Sequence, residues 1–126
     1  MRFLKLTITL FLLLFAAQCF SSEWYVGGNL HQSSGLDWQQ ATYENKLATA
    51  GDLVAAVYQS KRLSNELSAA IKGMEDIKVI AEELVVQLDA AFEPEPDPRQ
   101  NEVLFSNQKV SSTAAMIMMM SGWLNL

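Results

Sequence analysis

One cysteine, one histidine and three prolines are all that this chain of 126 residues holds of those types. Each scarcity excludes something. A single cysteine, Cys19, cannot close an intramolecular disulfide. A single histidine, His31, rules out a His-x-x-x-His metal motif. The prolines stand together at 94, 96 and 98, so the rest of the chain has no residue that must break a helix. Basic residues are also few, 9 against 14 acidic ones. No stretch alternates apolar and polar residues as a half-buried strand would, and no repeat is visible. After residue 22 no apolar run approaches the ~20 residues that cross a bilayer.

What is present begins with an address. In MRFLKLTITLFLLLFAAQCFSS, Arg2 and Lys5 precede an apolar run from Leu6 to Ala17, and small residues follow. This is the pattern of a secretory signal peptide over residues 1–21, and the run is short for a membrane anchor. Cleavage is expected after Cys19 or Ser21. Lipidation of Cys19 is disfavoured, because Gln18 occupies a position where that motif needs a small residue. Removing residues 1–21 takes away Arg2, Lys5 and Cys19. Seven basic residues then face 14 acidic ones, a net charge of −7, and no thiol remains. The expected product is exported, periplasmic or secreted. Residues 22–126 suffice for one small domain with one core. The acid excess is unfavourable for nucleic acid.

The mature chain reads as all-α. Residues 23–32 form an irregular arm, because Gly27-Gly28 interrupts the β-prone Trp24-Tyr25-Val26. Ser34 and Asp37 form a capping box for a helix expected to run to Leu47. Thr49 and Asp52 suggest a second box and a break near Ala48. The stripe Leu53, Val54, Val57, Tyr58 fails at Ser60, Lys61 and Ser64, so this helix should end or turn there. A turn or two is expected over 64–72. The strongest helix starts at Met74, with Ile77, Ala81, Leu84, Val85, Leu88 and Phe92 on one face. Residues 93–100, EPEPDPRQ, read as an extended connector. Ser111 or Ser112 is expected to cap a last helix through Met120, stopped by Gly122. That helix is apolar on every side, which predicts a central position or an interface. The expectation is a small bundle of three to four helices with an irregular N-terminal arm and an apolar C-terminal helix.

Candidate chemistry is sparse. His31 lies near Ser33, Ser34 and Asp37, but no strained turn or glycine-rich donor loop marks a nucleophile, and Ser34 and Asp37 already serve as a cap. No catalytic residue is assigned. Glu75-Asp76 and Glu82-Glu83 are neighbours pointing about 100° apart on a helix, so they do not converge. No carboxylate loop marks a calcium site, and no cofactor is expected. Met116, Met119 and Met120 share one helix side at i, i+3 and i+4. Thioethers suit Cu(I), and Met74 and His31 are possible additions, whereas ordinary packing is the plainer use of methionine. The stretches GGNLH and ENKLATAGD mix Gly, His, Asn and Thr in ways that core patterning does not demand. The expected function is non-enzymatic protein binding, through an unknown partner or self-association of the C-terminal helix. The alternative is a small-ligand or Cu(I) binder. The candidate binding residues are Trp24, Tyr25, Gly27, Gly28, His31, Trp38 and Trp123.

Overall fold

Ser34 opens the first helix as its spacing with Asp37 predicts. Its hydroxyl accepts from the Asp37 amide at 3.3 Å, and its own amide donates to the Asp37 carboxylate at 3.2 Å. In the computed structural model, which describes residues 23–126, this helix α1 spans only Gly35–Gln40. The export segment expected over residues 1–21 lies outside the described residues. Five further helices follow among these residues: α2 Tyr43–Gln59, α3 Asn65–Ala70, α4 Met74–Ala91, α5 Pro98–Phe105 and α6 Val110–Met120. The described fold is all-α, and its extended pairings are isolated bridges, Ser34 with Lys109 and Leu63 with Leu124.

The break between the first two helices falls earlier than the sequence suggests. Ala41 is extended, and the Thr42 hydroxyl accepts from the Asn45 amide at 3.2 Å. A short polar side chain at that position satisfies one of the free amides at a helix start. Thr49, expected to cap a new helix, instead lies buried in the middle of α2. Its hydroxyl is used by the arm, as described below. α2 does end where its stripe fails. Ser60 caps it, and Lys61 takes a left-handed backbone conformation at φ +61°.

Two other boundaries differ from expectation for physical reasons. Pro98 does not extend the connector but starts α5 at its first position, with Asp97 accepting from the Arg99 amide at 3.0 Å. Proline's missing amide costs nothing there, and its fixed φ suits the helix. The connector is therefore shorter than expected and ends at Asp97, which is still extended. α6 begins at Val110 with no side-chain cap. Arm carbonyls replace the expected serine: Ser33 accepts from the Val110 amide at 2.9 Å and His31 from the Ser111 amide at 3.0 Å.

α4 is the central element, not α6. It packs along both α2 and α6. Ile77, Ile80, Ala81, Leu84, Val85 and Leu88 are buried on it, and Phe92 closes its end. α6 buries one line, Val110, Ala114 and Met118, spaced four residues apart. Its opposite side faces solvent, so of its two expected places, bundle centre or interface, it does not take the centre. α1 and α5 pack together over the α4 end, where Phe92 meets Trp38 and Phe105 at ring separations of 6.4 and 6.0 Å.

Candidate functional site

The N-terminal arm lies along the first three turns of α2. Gly28 sits so close that a Cβ there would come within 2.5 Å of the Thr49 amide nitrogen. Asn29 and Asn45 pair twice: the Asn29 amide donates to Asn45 Oδ1 at 3.0 Å, and Asn45 Nδ2 donates to Asn29 Oδ1 at 2.8 Å. The Leu30 amide donates to Thr49 Oγ1 at 3.2 Å, a buried bond. His31 Nε2 lies 2.9 Å from Asp52 Oδ2. The indole of Trp24 rests on Gly51, where a Cβ would meet its ring at 2.6 Å. GGNLH and ENKLATAGD therefore explain each other. The first is the arm, and the second is the helix surface that receives it.

This arrangement accounts for most of the arm's candidate binding residues. Gly27 holds φ +91°, the turn that lets Gly28 approach the helix. His31 bonds to a carboxylate on α2. Its Nε2–H donates to Asp52, and Asp52 was not foreseen as its partner. Ser34 and Asp37 remain committed to the cap of α1. Tyr25 is exposed and meets Trp24 edge-on at 5.6 Å. Trp24 Nε1 is buried and has no hydrogen-bond partner among the described residues.

The three tryptophans do not meet. Trp38 is fully buried, and its Nε1–H donates to Asp89 Oδ1 at 2.9 Å. Lys46 Nζ binds the same oxygen at 2.8 Å and lies 5.4 Å from the Trp38 ring centre. A buried indole N–H thus finds a charged acceptor, and the carboxylate keeps a cation beside it. A cleft of about 400 Å³ beside this group is lined by Trp38, Gln39, Lys46, Asp89, Phe92 and Glu93. Neither Trp24 nor Trp123 reaches it. Trp123 belongs to the end of α6, where its carbonyl accepts from the Ser64 amide at 2.7 Å.

The methionines divide sharply. Met118 is 3% exposed and belongs to the core. Met116, Met119 and Met120 are 57, 50 and 80% exposed on the outer side of α6. α6 carries no charged residue anywhere along its length. Beside it, Ala56, Val57, Arg62, Ala115, Met118 and Leu124 line a mainly apolar groove of about 290 Å³.

Among the described residues no group of three His, Cys, Asp or Glu side chains could hold a metal ion. No helix among them is long and apolar enough to cross a membrane. Comparison with known proteins produced no match to a family model, to a curated protein or to a solved structure.

Proposed function

We propose that this chain is a small exported, non-enzymatic helical protein that acts by binding another protein, or a second copy of itself, through the outer face of α6. The reading of export rests on the residue pattern of positions 1–21. The carrying observation for binding is the set Met116, Met119 and Met120, exposed side by side on a helix with no charge. Exposed apolar groups that lie together mark interaction surfaces more often than scattered ones do. Methionine suits such a surface because its unbranched thioether adapts to different partners. In a chain with a net charge of −7 after cleavage, an uncharged helix is also where a second copy meets the least repulsion. α2, α4 and α6 then act as the rigid bundle that presents this face.

Sedimentation of the exported chain across a wide concentration range, alone and with the fraction it is exported into, tests the reading. Wild type is expected to associate, and Met119→Glu is expected to stay monomeric and partner-free at unchanged stability. A wild type that remains monomeric and partner-free, or an association indifferent to Met119→Glu, overturns it.

A second reading is a small-ligand binder. The groove between α2 and α6 favours it, with apolar walls and Arg62 contributing the one charged group to its lining. It replaces the expected tryptophan-lined pocket, since Trp24, Trp38 and Trp123 lie apart.

A further inference from the structure

Met116, Met119 and Met120 share one property that an apolar contact surface does not require. All three carry a soft sulfur donor, and leucine would fill the same positions with equal helix propensity. Core packing cannot account for the choice, because Met118 alone of the four is buried. On an α-helix, side chains three and four residues apart are neighbours, ~5–6 Å between Cβ atoms. Met119 and Met120 stand at i+3 and i+4 from Met116. Helical side chains also lean toward the N-terminus, over the preceding turn. That lean favours rotamers of Met119 and Met120 that reach back over the turn that carries Met116. Met116 lies between them around the helix, about 60° from one and 40° from the other. Three unbranched side chains in solvent, each with freely rotating terminal bonds, can bring their sulfurs to one point. Nothing on α6 competes for that point, since the helix holds no carboxylate, imidazole or amine side chain.

We propose that Met116, Met119 and Met120 form a three-thioether site for a soft monovalent metal ion, Cu(I) in the exported setting. The donor set selects softness. Neutral sulfurs offer little to Mg²⁺, Ca²⁺ or Zn²⁺, which prefer oxygen, imidazole or thiolate, but they suit Cu(I). The site needs no deprotonation of its ligands, so its affinity is set by the three sulfurs and not by a titrating group. It occupies the same face as the docking surface but does not depend on that reading. Docking needs apolar area, and the metal site needs sulfur.

That difference makes the test clean. The chain as isolated, and a parallel Cys19→Ser form that removes any competing thiol, would be titrated with Ag(I), a redox-inert stand-in, and with Cu(I) under reducing conditions against a chromogenic chelator. One metal ion per chain is expected. Each single Met→Leu change is expected to weaken uptake roughly tenfold or more. Met116→Leu/Met119→Leu/Met120→Leu together should abolish it while leaving helix content and any self-association in place. In methyl carbon spectra the three outer methionines should shift with Ag(I), and those of Met74 and Met118 should not. Absence of uptake by wild type, or uptake undiminished in the triple variant, overturns the proposal. A wild type that takes up the metal but does not associate would support the metal site and count against docking alone.

Discussion

At the scale of single residues, the arm is held by bonds of unequal value. The Leu30 amide and the Thr49 hydroxyl meet in a buried position. Thr49→Val keeps the shape but leaves that amide without an acceptor, which should cost about 1–3 kcal/mol. The His31–Asp52 contact is shorter but wetter, with side chains 33 and 45% exposed. His31→Ala should cost under about 1 kcal/mol, as the loss of a solvent-exposed polar contact does. Urea unfolding of the two variants checks the order. A larger loss from His31→Ala would show that the imidazole holds more than its carboxylate. From sequence His31 stands beside Ser33 and Ser34 with no catalytic role assigned to it. A lone histidine near serines attracts attention, but its real partner, Asp52, lies 21 residues away on α2.

At the scale of elements, two helices finish in the same way with different residues. After α6, Gly122 holds φ +74°, its amide donates to the Met119 carbonyl, and the Trp123 amide donates to the Met118 carbonyl. After α2, Lys61 takes the glycine position, its amide reaching Tyr58 and that of Arg62 reaching Val57. Both are Schellman ends, where glycine avoids the steric cost of a left-handed Cβ. Lys61→Gly should therefore stabilise the protein by about 0.5–1 kcal/mol, and Gly122→Ala should destabilise it by about 1 kcal/mol. Thermal unfolding of each variant against wild type would reveal opposite shifts. Equal signs would contradict the shared geometry. The Gly122 stop could be read from sequence because glycine announces it. The Lys61 stop was visible only as a failing apolar stripe, since lysine carries no such signal.

Across the whole molecule, burial separates methionines that look alike in the sequence. Met118→Ala empties a core position between α6 and its neighbours and should cost about 2–5 kcal/mol. Met116→Ala, Met119→Ala and Met120→Ala, on the open face, should each stay within about 0.5 kcal/mol of wild type. Denaturant midpoints for the four variants would check the division. A strong loss from any outer methionine would mean that its face is covered in the folded protein. The same division moves the centre of the fold. α4, whose one broad apolar face meets both α2 and α6, occupies the middle, and α6 lies at the side with its outer surface free.

Local chemistry was enough to determine much of this protein from sequence. The capping box at Ser34 and Asp37, the start of α4 at Met74, the stop at Gly122 and the all-α class each depend on residues within about one helical turn. Spacing of that kind is written directly in the chain. The start of α2 and the cap of α6 were not legible. Thr42 and Thr49 carry the same hydroxyl, and only the arm's arrival decides that Thr49 serves Leu30 from inside a helix. The serines at 111 and 112 look like caps, but carbonyls from residues 31 and 33 take that role through space. Likewise, an apolar helix does not say which side it will bury. Tertiary structure decided that Met118 turns inward and Met116, Met119 and Met120 outward, because the hydrophobic effect rewards burial without regard to direction and the α4 surface could cover one side alone.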